Sequence, residues 1–202
     1  MTSLRQQILG LPQDPGIRLL LPSGWEALPL DDEHVADLTK RLRPVFMRAN
    51  RPDLDAYVSG LIDRWLTELR AQGGLFAILP SDVDTVLPMS LVVSVVAEHD
   101  GSQLDGWVAN RLRGGRAEFL DDEQSILTWS ASTLGTGEMS GTVTDQYNYL
   151  IPVPRADRRR ALLLTGSNLV AADAPQEDPA RVAAQSLYDA IALAMVWVDQ
   201  EA

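Results

Sequence analysis

Leu87-Pro-Met-Ser-Leu-Val-Val-Ser-Val-Val-Ala-Glu98 is the stretch on which the fold turns. Side chains alternate faces along a strand. One face would carry Leu87, Met89, Leu91, Val93, Val95 and Ala97, all apolar, and the other Pro88, Ser90, Val92, Ser94, Val96 and Glu98. One wholly apolar face and one mixed face suit a strand in the middle of a sheet, covered tightly on one side and loosely on the other. Its β-branched content argues the same way, and the serines at a period of two disfavour a buried helix.

Working upstream, Gly73-Gly74 and the short strand Leu75–Leu79 precede it. Before them Leu54, Tyr57, Val58, Leu61, Ile62, Trp65, Leu66 and Leu69 recur at three- and four-residue spacing, which predicts a helix opened by Pro52-Asp53. Asp31-Asp-Glu-His34 reads as the start of an earlier helix, because acidic groups suit the partial positive charge of a helix N-terminus. Ile17–Leu21 reads as the first strand, and residues 1–15 as an N-terminal segment.

Downstream, Asp100-Gly101 turns the chain, and Ser102 with Asp105 resembles a capping box for a helix carrying Leu104, Trp107, Val108 and Leu112. Three antiparallel strands follow: Phe119 with Gln124–Ala131 around an Asp121-Asp122 turn, then Thr142–Ile151, then Arg159–Thr165. Thr142–Ile151 places Val143, Asp145, Tyr147, Tyr149 and Ile151 on one face and Thr142, Thr144, Gln146, Asn148 and Leu150 on the other, one aromatic and one mainly polar. Asp178 caps and Pro179 opens a final helix running to about Asp199. The order predicts an α+β fold: a mainly antiparallel sheet of about six strands with helices packed on its faces. Residues 16–202 form a single domain with a helical insertion at 31–72.

Composition narrows function by exclusion. At 202 residues, 46% hydrophobic and 22% charged, the chain is long enough and apolar enough to bury a real core. It has no cysteine, so disulfides, thiolate metal sites and cysteine nucleophiles are excluded. A net charge of −11 repels nucleic acid and anionic membranes. Residues 1–10 lack the apolar run of a signal peptide, and the longest apolar run, Ala190–Val198, is too short to span a bilayer. A cytoplasmic protein without membrane insertion is therefore expected. Arginine outnumbers lysine 16 to 1, a bias associated with GC-rich bacterial genomes.

The element order, with Leu21-Pro22-Ser23-Gly24-Trp25 after the first strand, resembles the Mog1/PsbP-like superfamily. Members often begin with a strand entering a Pro-x-Gly-Trp turn and end with a helix against a meander of long strands. The resemblance would span most of residues 16–199. It implies a binding or accessory protein without a shared catalytic motif, so it carries over no functional residue.

No set of residues converges on a reaction. His34 stands beside Asp31 and Glu33, but helix neighbours so close in sequence point apart, which disfavours a metal site. His99, between Glu98 and Asp100, has no nucleophile to activate and reads as a strand-end turn. Gly135–Gly141 lacks the lysine of a phosphate loop, and Gly166-Ser167-Asn168 lacks the Gly-x-Ser-x-Gly pattern of a nucleophile elbow. No catalytic residue, cofactor or metal is expected.

What remains is surface. Arg155, Arg158, Arg159 and Arg160 form the only dense basic patch in an acidic chain. It is a charged hairpin tip or a docking point for an acidic partner, since guanidinium groups grip carboxylates bidentately. The final helix is apolar nearly all round: Leu187, Ile191, Ala194 and Val198 make the sheet-facing stripe, yet Val182, Leu193 and Val196 fall opposite. Either the 31–72 helices cover those three, or they contact a second subunit in a homodimer. The favoured reading is a non-enzymatic interaction or accessory protein whose protein partner the sequence does not name. The alternative is a small-ligand-binding protein or enzyme with a pocket over the sheet lined by Trp107, Trp129, Tyr147 and Tyr149.

Overall fold

The computed structural model describes residues 15–34, 36–37, 40, 60, 64–71, 73–80, 89–97, 103–115 and 117–198. The predicted turns at Asp100-Gly101 and the histidine at position 99 lie outside these residues, as do residues 1–14 and most of the predicted 31–72 insertion. The strands are β1 (Gly16–Arg18), β2 (Trp25–Pro29), β3 (Gly74–Pro80), β4 (Met89–Ala97), β5 (Ala117–Phe119), β6 (Leu127–Leu134), β7 (Thr142–Pro152), β8 (Arg160–Ala171) and β9 (Val196–Val198). Two helices, α1 (Asp105–Arg113) and α2 (Pro179–Leu193), interrupt them, and residues 64–71 are also helical. This is a single α+β domain.

Seven strands form one sheet in the order β2-β3-β4-β8-β7-β6-β5, with every neighbour antiparallel. β4 lies in the interior as its alternation requires, and β8 holds the middle. The expected strand at Ile17–Leu21 is shorter and lies elsewhere: β1 pairs with β9 in a separate two-stranded ladder, Gly16 opposite Val198. The final helix likewise stops at Leu193, short of the expected Asp199, because β-branched Val196 and Val198 around Trp197 favour extended pairing. β2 and β5 also go beyond the expected six strands. The Gly24 hinge of the Pro22–Trp25 turn, in the left-handed region at φ 78°, swings the chain directly into β2.

Pairing register sorts the side chains onto two faces. Phe76, Val93, Leu164 and Tyr149 lie abreast on the first face, as do Ile78, Leu91, Gly166 and Tyr147. α2 covers this face with Ala184, Tyr188, Ile191 and Ala192, and the β1–β9 ladder adds Ile17 and Trp197. On the second face α1 packs Trp107, Val108 and Leu112 over Leu127, Leu150 and Ala161. The 64–71 helix packs Leu66 on Ala77 and Leu30 toward the other edge. It is fastened by Arg70, whose Nε donates to the Leu30 carbonyl and whose Nη1 reaches Asp32 Oδ1 at 2.8 Å. Gly73 and Gly74 end it under constraint. A Cβ on Gly73 would sit 2.8 Å from the Val95 carbonyl oxygen, and one on Gly74 would sit 2.7 Å from that of Leu69.

α2 starts as its sequence predicts, with the Asp178 side chain accepting from the Ala180 N–H at 2.8 Å and Pro179 in the first turn. α1 does not show the expected side-chain cap. It begins at Leu104, whose N–H donates to the carbonyl of Arg158 at 2.8 Å, and Ser102 lies outside the described residues.

Candidate functional site

The four arginines occupy the connection between β7 and β8. The hairpin closes through the Val153 N–H on the Arg160 carbonyl at 3.0 Å, and the Arg159 N–H on the Ala156 carbonyl at 2.9 Å. Within it Arg155, Asp157 and Arg158 adopt left-handed backbone at φ 62°, 51° and 59°. Such a conformation costs a residue with a Cβ about 1–2 kcal/mol, more easily borne by aspartate than by arginine. The tip is held from outside: α1 donates its Leu104 N–H to Arg158, and the Arg158 guanidinium reaches Asp105 Oδ2 at 3.2 Å. Arg155, Arg158 and Arg159 are exposed, whereas Arg160 is half-buried at the start of β8.

An acidic loop stands beside this basic tip. Leu127 of β6 pairs with Leu150 of β7, so the 120–126 turn emerges at the same end of the sheet as the hairpin. The two connections are two strand spacings apart, about 10 Å. Asp121 organises the acidic loop by accepting from the N–H groups of Ser125 and Ile126, both at 2.9 Å, and from the Ser125 hydroxyl. Desolvation pushes its carboxyl up, but these three hydrogen bonds together outweigh it and leave the group below the usual carboxylate range. Asp122 and Glu123 are exposed, with no ion pair between them and the tip arginines among the described contacts.

Two concavities flank the pair. On the first face a groove of about 560 Å³ has the three acidic residues on its rim and Ile151, Leu193, Met195 and Trp197 along its walls. Its other wall is the last turn of α2, where the helix dipole adds partial negative charge. On the second face a cavity of about 470 Å³ is floored by Leu127, Leu150 and Ala161, with Arg158, Arg160 and Asp105 at its mouth. This end of the molecule thus carries apolar hollows edged by charge of both signs.

The four aromatic residues expected to line one pocket do not meet. Trp129 pairs with Asn148, which sets it on the second face, where its ring lies edge-on to Trp107 at 5.4 Å. The Arg111 guanidinium caps both indoles, 4.8 and 4.9 Å from their centres. Tyr147 and Tyr149 point to the first face beneath α2. There the Tyr149 hydroxyl donates to Asp189 at 2.7 Å and the Tyr147 hydroxyl to the Arg181 carbonyl at 3.3 Å. Burial, then the Asp189 carboxylate, drives the Tyr149 pKa far above its ordinary value. Trp129 and Tyr147 both border a groove of about 410 Å³ with Gln185, but Trp107 and Tyr149 do not. Alternation alone placed each residue on a face of its own strand; only register across β6 and β7 shows that the faces are opposite.

Val182, Leu193 and Val196 are each more than half exposed, at 53%, 54% and 53%. The described 64–71 helix lies on the opposite face of the sheet and leaves all three uncovered. Leu193 is the one of them that borders the acidic groove. His34 is held by Asp31, which accepts from its backbone N–H at 2.9 Å and contacts its ring Nδ1 at 2.7 Å, the geometry of a helix start. Among the described residues no group of three or more His, Asp or Glu side chains is placed to hold a metal ion. No described helix is long and apolar enough to cross a membrane.

One cluster escaped sequence reasoning. Asp145, on the aromatic face of β7, is buried with Arg181 of α2, Oδ2 and Nε facing each other at 3.4 Å. Ser132 donates to Asp145 Oδ1 at 2.7 Å, and Arg181 Nη1 donates to Gln176 at 3.0 Å. The signal was present, since an aspartate alternating with tyrosines on a core face requires a cation or donors.

No family model matches the chain, and no curated protein does. Solved structures do resemble it. A mutant form of protein Mog1 aligns with 62% of this chain and 80% of its own at 12% identity and a TM-score of 0.43. The Saccharomyces cerevisiae Ran-binding protein Mog1p aligns with 61% and 79% at 14% identity and a TM-score of 0.41. LpqN, involved in cell envelope biogenesis of Mycobacterium tuberculosis, aligns with 94% and 87% at 12% identity and a TM-score of 0.43. These are partial likenesses of shape at low identity, and they assign neither partner nor activity.

Proposed function

We propose that this chain is a non-enzymatic interaction or accessory protein that contacts a protein partner through the Arg155–Arg160 hairpin. The observation that carries this reading is the hairpin's backbone. Two arginines and an aspartate sit in left-handed conformations where glycine would cost less, so backbone energy is spent holding charged side chains outward. In a chain of net charge −11 such a tip is a local reversal of sign, which suits carboxylates on a partner. On the same reading residues 1–15 are an N-terminal segment, the 31–72 segment is a helical insertion, and the protein works in the cytoplasm of a GC-rich bacterium.

Affinity capture from the native host tests it. The wild-type chain should recover one stoichiometric protein, and a variant with Arg155, Arg158 and Arg159 all changed to Ala should lose it while keeping the wild-type melting temperature within a few degrees. Equal recovery by the two chains removes the hairpin from the interface. Failure to recover any protein, with a small molecule that raises the melting temperature, would move the function to a ligand.

A further inference from the structure

The end of the sheet that carries the arginine tip also carries its complement. The acidic 121–123 loop and the basic 155–160 hairpin lie side by side, about two strand spacings apart. A surface with adjoining patches of opposite charge matches itself after a half-turn. With the rotation axis along the sheet normal, between the two connections, each acidic loop comes to face the other copy's arginines. An axis in the plane of the sheet and across the strands would instead oppose like charges.

We infer that the protein forms a twofold dimer through this end, the Arg155 and Arg159 side chains of each copy engaging the Asp122–Glu123 rim of the other. The inference rests on the reading of the hairpin as a contact and names a second copy of this chain as its occupant. Charge complementarity is the first support, because Asp122 and Glu123 are exposed while Asp121 is occupied within its own loop. The second is apolar: the groove behind the acidic rim has Leu193 on its wall at 54% exposure and half-buried Trp197 beside it. Because the axis runs along the sheet normal, each groove comes against the other copy's hairpin, and both are covered at once. Arg158 stays on Asp105 and keeps the tip in place.

Salt alone would read this poorly, since screening weakens the local attraction and also relieves repulsion between two copies of charge −11. Charge reversal reads it cleanly. Sedimentation of the full chain at micromolar concentration should give a dimer. Asp122→Lys with Glu123→Lys, and separately Arg155→Glu with Arg159→Glu, should each give monomers with unchanged circular dichroism. An equimolar mixture of the two variants should form a heterodimer, and the four changes combined in one chain should restore self-association. A monomeric wild type overturns the inference, as does a dimer that ignores both reversals or a mixture that stays monomeric. If the wild type is monomeric yet its tip variant loses a captured partner, the inference fails while the proposed function stands. If neither dimer nor capture depends on the arginines, both fail.

Discussion

At Gly166 the Tyr188 ring of α2 lies directly against the backbone of β8. A Cβ there would lie 2.6 Å from ring atoms of Tyr188, whose hydroxyl donates to the Ser167 and Ser90 carbonyls at 2.7 and 3.0 Å. Gly166→Ala should therefore lower stability by about 2 kcal/mol through overpacking, read as a shift in the urea midpoint with an unchanged slope. Tyr188→Phe, which keeps the ring and removes the donor, should cost about 1 kcal/mol. His34 provides a separate test by titration. Hydrogen bonding to Asp31 raises its pKa above 6.5, so the interaction stabilises the fold fully below the unfolded-state pKa and is lost as pH rises through the folded one. Nuclear magnetic resonance should find that pKa raised in the wild type and returned toward its ordinary value in Asp31→Asn. The sequence showed that Gly166-Ser167-Asn168 is no nucleophile elbow. The role of Gly166 depends on Tyr188, which only the tertiary fold brings to it.

At the scale of elements, α2 is anchored twice near its start. Asp178→Ala removes the cap and should cost about 1 kcal/mol. Asp145→Ala should cost more, about 3 kcal/mol, because it strands Arg181 in the core without its counter-ion. Replacing both partners by leucine should recover most of that loss, so denaturation of the single and double variants separates a costly orphan charge from a valuable pair. Helix α2 was legible from Asp178-Pro179 and its apolar spacing. Its end was not, because the run from Ala190 to Val198 satisfies a helix and a strand equally by hydropathy. Pairing with Gly16–Arg18 decides it, and that partner is remote in sequence.

For the molecule as a whole, the sequence carried the class of fold through one strand with unlike faces and several punctuated helices. The site was legible only in pieces. The arginine run stands out in any acidic chain, and Asp121-Asp122 reads as a turn. Their adjacency follows from Leu127 opposing Leu150, a register that hydropathy alone does not encode. The split of Trp107 and Trp129 from Tyr147 and Tyr149 has the same origin. An edge-on indole pair on the second face and two tyrosines hydrogen-bonded to α2 on the first replace the single aromatic pocket.

The ladder joining Gly16 to Val198 has a topological corollary. Because these two segments, remote in sequence, are hydrogen-bonded neighbours, a short polar linker can join Val198 to Gly16 and the chain can be reopened at the Gly137–Met139 turn. Such a permutant should keep the far-ultraviolet spectrum of the parent and melt within several degrees of it. A permutant that fails to fold would show that Gly16–Arg18 must be tethered early for Val196–Val198 to find its place.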